Sequence, residues 1–489
     1  MTSSKSNFTR FGRMGLSLVA AAACVLAASC GGGGGGGGAN LSNNGGSTTA
    51  QQVATCDHNQ PQSKLATPTT GNSVPVMIDS GPCAYGVPFG SPSGTAASVY
   101  IVNSANVPYT TVTICKPGST TACQTIDHIL VDTGSSGLRL MSSVLTGTAT
   151  LPGVSVGGAP LIECIQFADG YSWGSMRRAD VHIAGETAAN IPVQVIGDSD
   201  GYKVPITCKA TATTPALNDV GSFGANGVLG VGLFAQDCGP GCATQAGNNF
   251  YYTCATAATC TASVAAVTDQ ATNPVFGFTA TGDNNGILLQ FPAVAAASGA
   301  LNIQGTLIFG INTKSNNQAT ASTLNTYQAD LSQGDFISTL LTTTGPYFVT
   351  STPYTNSFID SGSNGIYLPG TTIATDPTYG WFTPTIAASG GNPADVITLT
   401  ATQQGSGGGT AYTNNLTFEI ANANTVLFNS GAGINTVFNG LGANSLGTGS
   451  TGGIDWGLPF FLGKSIFVAL ENTTINVVTT PQSGPFWAY

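Results

Sequence analysis

Two short stretches constrain this chain more than any other feature: Leu130-Val131-Asp132-Thr133-Gly134-Ser135 and Phe358-Ile359-Asp360-Ser361-Gly362-Ser363. Each places an apolar pair before Asp-(Thr/Ser)-Gly-Ser and an apolar patch after it, Leu138 to Met141 in one and Ile366 to Leu368 in the other. A lone turn of this kind is common, because Asp, Gly, Ser and Thr each suit turn geometry for their own reason. Two copies with matching flanks, 228 residues apart, imply two similar halves that each deliver one carboxylate. A second pair of signals agrees. Gly230, in Gly227-Val228-Leu229-Gly230, follows Asp132 by 98 residues, and Gly457, in Gly453-Ile454-Asp455-Trp456-Gly457, follows Asp360 by 97.

Between these landmarks, short β-type runs bounded by turns dominate, as at 110–114, 191–196, 306–309, 416–420 and 466–470. Convincing long amphipathic helices are absent, so the chain reads as all-β. No period of 20 to 50 residues recurs, which argues against a repetitive surface adhesin. The expected architecture is bilobal, with two similar β-barrel-like lobes and a cleft between them. The lobes are expected at 89–295 and 296–489, preceded by a pro-region or N-terminal extension at 53–88.

The N-terminus points to export. Lys5, Arg10 and Arg13 precede an apolar run from Met14 to Ala28, too short for a comfortable membrane span and suited to a signal peptide over 1–29. Small residues leading into Cys30 resemble a bacterial lipoprotein signal, so Cys30 is the expected lipidation site, with ordinary secretion as the alternative. A Gly/Ser-rich tether follows over 30–52. The expected location is the periplasmic or surface face of an outer membrane, held by the lipid on Cys30. With 22 acidic against 12 basic residues and no basic stripe, nucleic acid is not an expected partner. The chain is expected to act as a monomer.

Ten of the 12 cysteines lie between Cys56 and Cys260. An even number in an exported chain favours disulfides. Cys115 and Cys123 flank a turn sequence and are expected to close a hairpin, and Cys238/Cys242 and Cys254/Cys260 are plausible local pairs. Cys56, Cys83, Cys164 and Cys208 would supply the rest in a connectivity left open. Spacings without a nearby His give no zinc site, and no cofactor is expected. Asp198-Ser199-Asp200-Gly201 resembles the start of a calcium loop, but Lys209 stands where Glu is required, so it reads as a turn.

Two carboxyl groups a few ångströms apart cannot easily both ionise, so such a pair shares one proton. One member can then take a proton from water while the other donates to a carbonyl, and peptide hydrolysis needs neither metal nor covalent nucleophile. Gly134 and Gly362 permit close approach of the halves. Thr133 and Ser361 supply hydroxyls to brace the opposite turn, and Ser135 and Ser363 can bond the carboxylates.

On these residues the chain, from about 95 to 489, resembles the pepsin-like aspartic peptidases. The resemblance implies catalytic roles for Asp132 and Asp360 and an extended peptide substrate. Tyr171-Ser172-Trp173-Gly174-Ser175-Met176 is similar to the family's flap hairpin, which would make Tyr171 the flap tyrosine, with Gly174 and Ser175 beside it. Residues 273–317 resemble the passage between lobes. The lipoprotein head and cysteine-rich first lobe also look like an uncharacterised family of exported bacterial proteins. Two positions depart from the pattern. Arg139 replaces the tryptophan that bonds the flap tyrosine, placing a charge near the cleft rim that could donate to Tyr171 or favour ionised carboxylates. Asp455 interrupts the apolar pair before the second glycine. The leading function is an exported endopeptidase. The alternatives are a peptide- or polymer-binding lipoprotein on the same scaffold and a structural surface lipoprotein.

Overall fold

The computed structural model describes residues 70–79, 81–82, 85–86, 100–101, 105–147, 150–199, 201–209, 211–321, 323–341, 353–377, 380–388, 394–407, 414–428, 435–445 and 452–489. The signal peptide, Cys30, the tether, Cys56 and Cys83 lie outside them.

The protein is all-β, with two lobes. A 16-stranded sheet forms the first half and continues into the region shared by the halves, while a seven-stranded sheet carries the second half. Alternation shapes strands with one face turned to the core: Ser73–Ile78 alternates half-buried and buried positions, and Val396–Gln404 does nearly the same. The inner strands read differently. Gly227–Val231 and Ser136–Met141 are buried throughout, as strands covered on both faces must be.

Each half contains the same local crossing. In the first, Gly227–Val231 lies between Cys123–Asp132, to which it is parallel, and Ser136–Met141, to which it is antiparallel, with Gly230 level with Asp132. In the second, Asp455–Trp456 is parallel to Pro353–Ile359 and antiparallel to Ile366–Leu368. The near-equal spacings in the sequence are thus the length of chain needed to leave each Asp turn, build the rest of the lobe, and return between the turn's own two strands.

The expected boundaries shift. Ser73–Ile78, within the presumed pro-region or extension, is a central strand, paired with Ile303–Phe309 on one side and Pro108–Cys115 on the other. Val74, Val76 and Ile78 are buried there. The boundary expected at 295/296 falls in the loop joining the antiparallel pair Gly286–Gln290 and Ile303–Phe309. Those strands join Ser465–Ala469 and Phe486–Ala488 in the shared sheet. Four disulfides occur among the described residues: Cys115–Cys123, Cys238–Cys242, Cys254–Cys260 and Cys164–Cys208. They fit an exported chain. No helix among the described residues is long and apolar enough to cross a membrane.

Candidate active site

Asp132 ends the strand Cys123–Asp132, and Asp360 follows directly on Pro353–Ile359. Each strand is packed in its lobe's core, so each carboxyl is fixed at the place where the lobes meet. Asp132 is 0% exposed and Asp360 4%, while Gly134 and Ser135 beside them are half-exposed. The turns carry the same local bonds. Gly134 N–H donates to Asp132 Oδ1 at 2.8 Å and Ser135 Oγ to Asp132 Oδ2. Gly362 N–H donates to Asp360 Oδ1 at 2.8 Å and Ser363 Oγ to Asp360 Oδ2 at 3.0 Å.

A reciprocal set of bonds ties the turns together. Thr133 Oγ1 donates to Ile359 O at 3.0 Å and accepts from Ser361 N–H at 3.0 Å. Ser361 Oγ donates to Val131 O at 2.7 Å and accepts from Thr133 N–H at 3.1 Å. Four buried bonds across the lobe junction leave each turn little freedom. The two Asp carboxyls consequently face each other within hydrogen-bonding range. Burial first, then the charge and hydrogen bond of Asp360, hold the Asp132 carboxyl well above the usual carboxylate range, against the bonds from Ser135 and Gly134.

Other groups shift in the same sense. Burial of Oδ1 pushes Asp169 up to about 7, although the residue as a whole is part-exposed. Burial, then Glu163, raises Asp237 despite Arg139 and Tyr251. Bonds to Asp127 and Asp79 overcome burial and lift His128 to about 9. Each of these groups binds protons more tightly folded than unfolded. Their stabilisation is complete below the unfolded values, about 3.9 for Asp and 6.5 for His, and is lost as pH rises through the folded ones. Two groups act outside that window: Asp330, whose lowered value removes stability only toward strong acid, and Lys464, lowered to about 8 by burial. Stability therefore falls from mildly acid to mildly alkaline pH. Thermal unfolding is expected roughly 5 °C lower at pH 8 than at pH 4.5; a higher melting temperature at pH 8 would contradict these assignments.

The hairpin that follows the first Asp turn in the chain departs from expectation. Ala159–Gln166 pairs with Tyr171–Ile183 as far as Gln166 opposite Tyr171, so the tip is Phe167-Ala168-Asp169-Gly170. Tyr171 lies behind that tip and is buried against Cys164, Trp173, Cys208, Tyr252 and Cys254. It packs with the Cys164–Cys208 bridge, and the pairing of Tyr251–Thr256 along Ala159–Gln166 widens the hairpin into a broader arm. Gly174 serves close packing, since a Cβ there would lie 2.0 Å from Val195 O. Ser175 is engaged by Asp198, to whose carboxyl it gives both its N–H, at 2.8 Å, and its hydroxyl.

Arg139 requires a plain correction. It is fully buried, away from the rim. Nη2 donates to Glu163 Oε1 at 2.6 Å and lies 3.3 Å from Asp237 Oδ2, Nε donates to Glu163 Oε1 at 3.2 Å, and Nη1 donates to Ser136 O at 3.1 Å. Asp237 accepts from Tyr251 OH, and Tyr251 OH accepts from Ala271 N–H at 2.8 Å. Because Glu163 stands on the hairpin and Ser136 next to the first Asp turn, Arg139 ties hairpin to turn. Sequence reasoning missed Glu163 and Asp237. The available signal was Glu163 as a charge within the apolar run Leu161–Ile165, in a chain only 7% charged.

These features define the class: an all-β, two-lobed, pepsin-like fold with one Asp turn from each lobe at the junction. Residues 93–489 match a family described as "Protein of unknown function (DUF3443)", and the chain belongs to that family. No curated protein matches it. Among solved structures it is similar to an aspartic proteinase from Irpex lacteus, at 12% identity and a TM-score of 0.44, over 85% of this chain and 96% of that one.

Proposed function

We propose that the chain is an exported aspartic endopeptidase that hydrolyses peptide bonds with a water activated by Asp132 and Asp360. The observation that carries this reading is the pair of buried carboxyls, one from each lobe, facing each other and held by matching donors. With Asp132 held protonated, Asp360 is the base that takes the water's proton, and Asp132 donates to the carbonyl oxygen. This division uses no metal or cofactor. A lipid on Cys30 would tether the enzyme to the outer membrane and leave the cleft free for an extended peptide. Arg139, whose charge was expected near the cleft rim, is paired with Glu163 inside the first lobe instead.

The test is cleavage of a mixed peptide library by the processed, soluble protein from acid to neutral pH, beside Asp132→Asn and Asp360→Asn. Both substitutions are expected to abolish cleavage while the variants keep their melting transitions. If folded wild type cuts nothing that the variants do not, the peptidase reading is wrong and the cleft is a binding site.

A further inference from the structure

The two Asp turns are not equivalent, and the difference lies at Asp455. Ser363 Oγ sits 3.0 Å from Asp360 Oδ2 and 2.6 Å from Asp455 Oδ2. In the first lobe the position two before the conserved-spacing glycine is Val228, buried in the apolar core. In the second it is Asp455, also buried. Ser135, the counterpart of Ser363, is half-exposed, whereas Ser363 is closed in between two carboxyls.

A serine hydroxyl has one proton to donate and can also accept. Between two ionised carboxylates it satisfies only one, leaving the other oxygen against a lone pair beside a second buried charge. A proton on one carboxyl resolves the conflict, because the acid then donates to Oγ and Oγ donates onward. Asp360 already accepts from Gly362 N–H at 2.8 Å, and a backbone donor favours the ionised carboxylate, so the proton falls to Asp455. We propose that Asp455 is a proton-carrying positioning residue that acts through Ser363 to hold Asp360 as the ionised, water-activating member of the pair. This proposal rests on the peptidase reading above.

The chain Asp455–H to Ser363 Oγ–H to Asp360 aligns its donors in one direction, which strengthens the last bond. On the strands paired with Asp455 stand Phe358, two residues before Asp360, and Tyr367, whose hydroxyl donates to Asn364 Oδ1 at 2.7 Å. Titratable groups on or at the end of those strands are Tyr354, Asp360 and Tyr367, with Asp132 beyond Asp360 in the dyad. The arrangement also orders the acid and base roles: each Asp receives two donors, but only the serine that serves Asp360 also touches a further carboxyl, so Asp132 keeps the shared proton.

The test compares Asp455→Asn, Asp455→Val and wild type in two readouts. Asn keeps a donor toward Ser363 and mimics the acid, whereas Val copies the other lobe. In pH profiles of kcat and KM, Asp455→Val is expected to lower kcat roughly 10- to 100-fold, the scale of one hydrogen bond to a charged group, with KM little changed and the acid limb moved upward. Asp455→Asn is expected to stay near wild type with its acid limb in place. The second readout is the infrared difference spectrum of wild type minus Asp455→Asn at mildly acid pH, which should show the loss of one protonated-carboxyl band. Loss of a carboxylate band instead would overturn the proposal, whether or not any peptide is cleaved. Superimposable pH profiles for wild type and both variants would also overturn it. Absence of all cleavage with the protonated band present would sink the peptidase reading and leave the proton assignment standing.

Discussion

Replacing Arg139 with methionine is expected to lower the free energy of unfolding by about 3–5 kcal/mol, the usual cost of removing one partner of a buried ion pair. The guanidinium is 0% exposed and makes donor contacts to Glu163, Asp237 and Ser136 O. Without it, Glu163 is left buried with no cation, and Ser136 O loses a donor beside the first Asp turn. Methionine approximates the side chain's length, so the effect reports lost charge pairing more than a cavity. Adding Glu163→Leu should recover most of the loss, because Asp237 is already biased toward its neutral form by burial and can keep its bond with Tyr251. Urea unfolding of the two single variants and the double would measure this, with an unchanged m-value securing the comparison. If Arg139→Met costs under about 1 kcal/mol, the range of an exposed pair, the buried network described here is wrong.

The same cluster shows where sequence reading stops. Both Asp turns, the repeat of one long unit and three of the four disulfides among the described residues were legible because each depends on residues close in sequence or on a repeat. The spacing to Gly230 and to Gly457 marked two matching halves, and the structure shows what it measures, a strand that returns beside each Asp turn. Arg139 was visible as a departure but not in its role. Its partners lie 24 and 98 residues away, on elements whose register no local pattern fixes. Tyr171 was displaced for a related reason. The six-residue match to a flap is real in sequence, yet the pairing continues to Gln166 and moves the tip to the preceding Asp169-Gly170, itself a turn dipeptide. Asp455 stood out as a polar residue in an apolar motif. Only the placement of Ser363 shows what it touches.

Gly134→Ala is expected to reduce peptide cleavage by at least roughly 100-fold, the scale associated with misplacing reacting groups by about an ångström. A Cβ at position 134 would lie 2.5 Å from Asp360 Cγ and 2.6 Å from each of its carboxylate oxygens, with those atoms belonging to the opposite lobe. The methyl cannot be absorbed locally. Thr133 on one side is bonded to Ile359 O and to Ser361, and Asp360 on the other is fixed by Gly362 N–H and Ser363. Either the Asp360 carboxyl turns away from Asp132 or the lobes part and the reciprocal Thr133–Ser361 bonds lengthen. Both outcomes separate the carboxyls, so Asp132 loses the neighbour that helps keep it protonated. Overpacking should also cost about 1–3 kcal/mol of stability. Gly362→Ala meets Asp132 Oδ1 at 2.8 Å and should act in the same direction, whereas Gly147→Ala, with nothing within 4 Å, should be silent in both assays. Cleavage rates and melting curves of the three variants decide the matter. Full activity in Gly134→Ala would mean that the two turns do not meet as closely as described, and the shared-proton dyad would have to be given up.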